Sequence, residues 1–139
     1  MDKKTMVQLL QADLEKEYQA FNFYLQCSFT IRGYRRGYLK GWLKEQAEEE
    51  LTHASALAEK ISSLGGVPTS HIPEVTGLTN AVAILKKALE YETDVVTRFT
   101  QRAQQADELG DLQLKLLLEE QASESQGEAE ELKKLLEEA

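Results

Sequence analysis

The residues Glu50-Leu51-Thr52-His53, within the run EEELTHA, set a carboxylate and one of the chain's two histidines three positions apart. On a helix that spacing puts both side chains on one face, about one turn apart. A carboxylate so placed can bridge two cations while the imidazole ligates one of them. The chemistry on offer is metal binding by oxygen and nitrogen donors, which suits iron or manganese; structural zinc favours thiolates. A lone Glu-x-x-His is also a common pattern on charged helix surfaces, so its spatial neighbours decide its meaning.

Those neighbours depend on the elements that carry them. Glycine and proline are concentrated in three places: RGYRRGYLKG, GGVPTSHIPEVTG and ELGD. Between them lie four long periodic segments, predicted as helices at 5–32, 38–64, 80–109 and 111–138. Thr5 with Gln8 reads as a capping box, Gly65 as a helix-ending glycine, and Thr79 or Asn80 as an N-cap. The first and third breaks are tight turns, which make antiparallel neighbours. The middle break lacks helical periodicity over about fifteen residues, a reach of about 50 Å against the roughly 40 Å length of a 27-residue helix. It can therefore cross the full length of a bundle and leave helices two and three parallel, in an up-down-down-up order. Val67, Ile72 and Val75 are its expected apolar anchors.

Each segment has an apolar stripe on 3-4 spacing, and each stripe is interrupted by polar residues near its middle. The first runs Val7, Leu10, Leu14, Glu17, Phe21, Tyr24, Ser28, Ile31. The second runs Leu39, Leu43, Ala47, Glu50, then His53 or Ala54, Leu57, Ile61, Leu64. The third has Glu92 between Leu89 and Val96, and the fourth has Gln121, Ser125 and Glu128 between Leu118 and Leu132. Counted outward from the turns, Glu17 falls level with Glu50, and Glu92 with Ser125 or Glu128. Carboxylates gathered in a core need cations, and these stripes carry no Lys or Arg to supply them. A pair of metal ions would.

Composition narrows the alternatives. With 139 residues, 42% hydrophobic and 29% charged, the chain is long enough for a single helical domain, taken as 1–139. Net charge is −8, from 24 acidic and 16 basic residues. That balance argues against nucleic acid as the main partner and favours cation uptake. Cys27 is the only cysteine, which excludes an intrachain disulfide framework and fits a reducing, cytoplasmic setting. No signal peptide pattern or membrane-length apolar run is present. His71 reads as a surface loop histidine, and Arg32, Arg35, Arg36 and Lys40 as a basic tip open to an anion or a partner.

Taken together these residues resemble the ferritin superfamily, above all bacterial ferritins and bacterioferritins, over nearly the whole chain. The resemblance rests on Glu17 with Tyr24 seven residues on, QAEEELTHA on the second segment, LGGVP opening the crossover, and LEYET on the third segment. It implies an all-α, ferritin-like four-helix bundle with a dinuclear iron centre, for which manganese or zinc can substitute. Such a centre oxidises Fe(II) to Fe(III) with dioxygen or hydrogen peroxide, for iron storage or detoxification. By matching positions, Glu17 is a terminal ligand of one iron, Glu50 the bridge, His53 a ligand of the same iron, and Glu92 a ligand of the second. Tyr24 matches the tyrosine beside the centre, a catalytic electron donor or hydrogen-bond partner.

Helix four departs from the pattern. Bacterioferritins place a second Glu-x-x-His there, and other ferritins often a Gln. Aligned without a gap, those positions are Ser125 and Glu128; a gap would offer Gln121 and Glu124. The ungapped version keeps the core stripe and leaves Glu128 as the metal ligand. Glu49 and Glu124, with Glu128 or Gln121, are candidates for an accessory metal site. The bacterioferritin haem-ligand methionine falls on Leu51, which argues against haem. The short fifth helix of large-cage ferritins has no counterpart, which points away from a cage of that type, although a homo-oligomer is still expected. A rubrerythrin-like di-iron peroxidase or oxidase and a mini-ferritin-like protective assembly are the rival readings. Neither nucleic acid nor membrane is expected as a partner.

Overall fold

The computed structural model describes residues 1–137, and four helices make up most of them: α1 Lys3–Thr30, α2 Arg36–Ser63, α3 Ala81–Leu109 and α4 Leu112–Leu136. They match the four predicted segments to within about two residues at each end; residue 138 of the last prediction lies outside the described residues. Among the described residues there is no strand. No described helix is long and apolar enough to cross a membrane.

The helix ends follow from local chemistry. Asp2, and not the expected Thr5 capping box, starts α1: its Oδ1 accepts the Thr5 amide at 2.7 Å. That bond holds the Asp2 carboxyl below its ordinary value. α2 stops at Gly65, which takes φ +92, a conformation costly to residues with a Cβ. The Gly66 and Gly65 amides then bond back to the carbonyls of Ile61 and Ser62, a Schellman closure. Asn80 rather than Thr79 caps α3, its Oδ1 accepting the Ala83 amide at 2.9 Å. An Asn80→Ala variant should lose about 1 kcal/mol of stability, read by chemical denaturation.

Packing divides the chain into two compact units, Val7–Ile84 and the residues from Leu85 onward together with Met1–Met6. In the first, α1 and α2 form an antiparallel hairpin. Early α1 meets late α2, so that Val7 packs by Gly66, Glu17 by Glu50, and Tyr24 by Trp42. Leu10, Leu14, Tyr24, Ile31, Leu39, Leu43, Leu57 and Ile61 form its buried core. Val7, Phe21 and Leu64, placed on the predicted stripes, are half-buried.

The crossover of the same unit runs along α1 from one end to the other, and hydrogen bonds hold it there. The Gln11 amide group donates to the Val67 carbonyl at 2.6 Å and accepts the Thr69 amide at 2.8 Å. Asn22 donates to the Pro73 carbonyl at 3.0 Å, Thr30 to the Leu78 carbonyl at 2.7 Å, and the Arg32 amide to the Thr79 carbonyl at 2.9 Å. Two of the three apolar anchors expected from sequence do not serve that purpose, since Val67 is 84% exposed and Ile72 45%; Val75 is half-buried. Polar side chains on α1 do the docking because an extended segment has backbone donors and acceptors with no ladder of their own.

In the second unit, α3 and α4 meet at Gly110, with φ +83. Asp111 caps α4 by accepting the Leu114 amide at 3.0 Å. Leu85, Ala88, Phe99, Ala103 and Ala106 face inward from α3, and Leu114, Leu118, Ala129 and Leu132 from α4. Leu135, three residues after Leu132, is 46% exposed.

Candidate metal centre

Glu17 lies on α1 one turn past Leu14, and the periodicity that buries Leu10, Leu14 and Tyr24 turns its side chain inward. Glu50 is held in the same way on α2 between Ala47 and Ala54. Both are almost wholly enclosed, at 1% and 3% exposure. His53, one turn after Glu50, is half-buried. The three residues offer ligand atoms that all lie within 4.8 Å of one another. His53 Nδ1 stands 3.8 Å from Glu50 Oε2, too far for a hydrogen bond.

These distances fit a shared cation. Two ligand atoms each about 2.1 Å from one ion can be at most about 4.2 Å apart, so small side-chain rotations would close the set. Two carboxylates buried side by side also repel, and a cation between them removes that cost. The donors, two carboxylates and one imidazole, suit iron or manganese.

Tyr24, two turns beyond Glu17 on α1, is fully buried. It packs edge-on against Phe23, with ring centroids 5.8 Å apart, and against Trp42, at 6.1 Å. Cys27, one turn further, is buried as well, and burial pushes its thiol up, which marks it as a packing residue.

The remaining expected site residues belong to α3, α4 and the surface of α2. Glu92 is 2% exposed on α3. On α4, Gln121 and Ser125 are each 3% exposed and one turn apart, Glu128 is half-buried and Glu124 is exposed. Gln121 Oε1 is buried without a hydrogen bond among the described residues. Both helix-four alignments therefore put one residue inside: Ser125 in the ungapped version, Gln121 in the gapped one. Glu49 on α2 is exposed, and Leu51 is 44% exposed.

Three buried polar residues escaped the stripe reading. Asp13 and Gln46, at 1% and 4% exposure, each sit four residues before a cluster acid, Glu17 and Glu50 respectively. Stripes widened by one position would have included both. Arg102 on α3 is 9% exposed and donates to Gln105 Oε1 at 2.6 Å; it lies one position off the predicted stripe, beside Ala103, so a cation is buried where the stripes themselves carry none. Its long aliphatic stem packs like a hydrophobe, a property periodicity does not register. His71, as expected, is exposed; its Nδ1 lies 2.6 Å from Glu15 Oε1.

The sequence profile of the Ferritin-like domain matches residues 7–139. A ferritin-like, di-iron-carboxylate protein from Bacillus anthracis is 32% identical in sequence and superimposes with a TM-score of 0.90, over 96% of each chain. The bacterioferritin of Desulfovibrio desulfuricans is 23% identical, with a TM-score of 0.88 over 97% of this chain and 80% of its own. A bacterioferritin-related protein from Bacteroides fragilis, described as a dodecameric thioferritin, is also 23% identical, with a TM-score of 0.88 over 99% of this chain and 88% of its own. At 23% identity the likeness is one of fold. No curated protein matches the sequence significantly.

Proposed function

Because the chain belongs to the ferritin-like family, with its four-helix bundle, we propose that it is a di-iron ferroxidase, oxidising Fe(II) to Fe(III) with dioxygen or hydrogen peroxide for iron storage or detoxification. The observation that carries this reading is the buried Glu17–Glu50–His53 cluster, whose ligand atoms lie within 4.8 Å of one another. The di-iron-carboxylate description of the Bacillus anthracis protein, at 32% identity, supports the choice of metal.

In the proposed ligand set Glu17 and His53 would hold one iron, Glu50 would be the shared carboxylate, and Glu92 and Glu128 would serve the second. Bound iron supplies the one-electron couple that reduces the oxidant. The chain supplies the rest. Glu50, buried on the inner face of α2, would offer its carboxylate as the shared ligand. Hard carboxylate oxygens would favour Fe(III) over Fe(II), which makes the oxidation more favourable. Buried Leu14, Ala47, Ala54 and Leu57 flank the cluster acids along α1 and α2 and limit water there. Tyr24 is the proposed donor of an electron or a hydrogen bond beside the centre. Glu49 and Glu124, both exposed, are proposed only as accessory sites. A homo-oligomer in the reducing cytoplasm, where Fe(II) persists, completes the proposal.

The test is an anaerobic Fe(II) titration followed by admission of oxygen. Saturation near about two Fe(II) per chain, then growth of near-ultraviolet ferric absorbance on oxygenation, is the expected result. A titration with no stoichiometric endpoint would overturn the reading.

A further inference from the structure

The chain's negative charge is unevenly spread. Between Glu17 and Glu45 there is no carboxylate, and Arg32, Arg35, Arg36, Lys40 and Lys44 all fall in that interval. Two of the five have local work at the end of α1. Arg32 donates to the carbonyls of Phe29, Thr30 and Ile31, and Arg36 to those of Phe29 and Ile31. Arg35 and Lys44 instead sit over exposed rings, 5.4 Å from the Tyr34 centroid and 5.6 Å from that of Phe29. Tyr34 is 86% exposed, Tyr38 61% and Phe29 50%. Exposed aromatics paired with cations are the residue types that anchor protein interfaces.

A surface of opposite sign exists on the α3–α4 hairpin. A groove of about 590 Å³ runs there, with the buried side chains of Ala103 and Ala122 at its base. Asp107, Glu108 and Glu119 line it against a single cation, Lys115, which lies 3.6 Å from Asp107. The small alanines leave space for an aromatic ring, and the groove remains acidic after Lys115 is counted.

We propose that the basic, aromatic tip of one copy docks in the α3–α4 groove of a second copy. Tyr34 enters over Ala103 and Ala122, and Arg35 and Lys40 meet Glu108 and Glu119. A nucleic acid or an acidic partner protein would match the tip's charge alone. A second copy matches both surfaces, and every chain brings the two in equal number. Such a contact is heterologous, so each copy can engage two others and the assembly can grow beyond a dimer. It stands apart from the iron chemistry, since none of its residues is a proposed ligand.

The experiment measures particle mass in solution by light scattering on full-length chains. Arg35→Glu with Lys40→Glu, and separately Glu108→Lys with Glu119→Lys, should each reduce the mass to about half or less of the native value. Combining all four substitutions restores complementary charge and should restore the native mass. Tyr34→Ala, at an exposed ring, should weaken assembly without any change of charge. It provides the reading if a charge-reversed chain fails to fold by circular dichroism. A native chain that is monomeric, a double variant that keeps its native mass, or a fourfold variant that remains dissociated overturns the proposal. So does a labelled oligonucleotide that binds the native tip while the tip variants keep their mass; that result would assign the tip to nucleic acid.

Discussion

The Glu50→Ala variant is expected to bind Fe(II) at least about 100-fold more weakly than the native chain and to lose the ferric absorbance that follows oxygenation. Glu50 is the acid proposed to touch both irons, so its loss removes a ligand from each. His53→Ala removes one ligand from one iron and should leave weakened, single-site binding. Glu49→Ala, one position away but exposed, should leave the primary titration unchanged. The contrast between adjacent positions separates ligation from general loss of negative charge. A second readout avoids catalysis altogether. Anaerobic Fe(II) at a hundred times its dissociation constant should stabilise the native chain by about 2.7 kcal/mol, and that gain should fall to about 0.4 kcal/mol or less in Glu50→Ala. Equal metal-induced stabilisation of both chains would refute the assignment of Glu50.

Gly77→Ala should destabilise the protein by about 1–3 kcal/mol and lower its thermal midpoint by about 5–10 °C. A Cβ at Gly77 would stand 2.6 Å from Thr30 Cγ2 and 2.9 Å from its Oγ1. Thr30 cannot easily yield, because its hydroxyl is bonded to the carbonyl of Leu78 at 2.7 Å and lies 3.2 Å from that of Gln26. The substitution therefore forces the crossover off α1 or breaks the bond that docks it. Gly66→Ala meets a similar obstacle, 2.7 Å from Val7 Cγ1 and 3.0 Å from Ile61 Cγ2. At Gly127, inside α4, a Cβ meets nothing within 4 Å. There the same change should stabilise by about 1 kcal/mol, through helix propensity. Thermal denaturation of the three variants checks both signs; a neutral Gly77→Ala would show that the crossover is not held by this contact.

The inward course of Glu17, Glu50 and Glu92 could be read from sequence because helical periodicity is a local property. A residue three or four positions from buried leucines shares their face, and an acid there draws attention through the cost of burying it. Asp13, Gln46 and Arg102 obey the same geometry yet were missed, since a stripe one residue wide discards the neighbours that share its face. The crossover shows a different limit. Val67 and Ile72 suggested apolar anchoring but are exposed, whereas Gln11, Asn22 and Thr30 hold the segment by hydrogen bonds. An extended segment has no period to reveal which side chains from elsewhere will satisfy its backbone.

Sequence alone determined the number of helices, their ends to within about two residues, most of the positions that turn inward, and the presence of acids among them. Those features depend on interactions between residues at most a few positions apart: turn glycines, caps and the 3-4 repeat. Counting outward from the turn also set Glu17 level with Glu50; only the tertiary structure decided how closely their carboxylates approach, with the His53 imidazole, to within 4.8 Å. It also decided that Gln121 and Ser125 are both enclosed while Glu124 is exposed, and that the aromatic rings of the basic tip project outward. The register of one helix against another and the exposure of a side chain are set by packing between segments far apart in sequence. No local pattern encodes that packing.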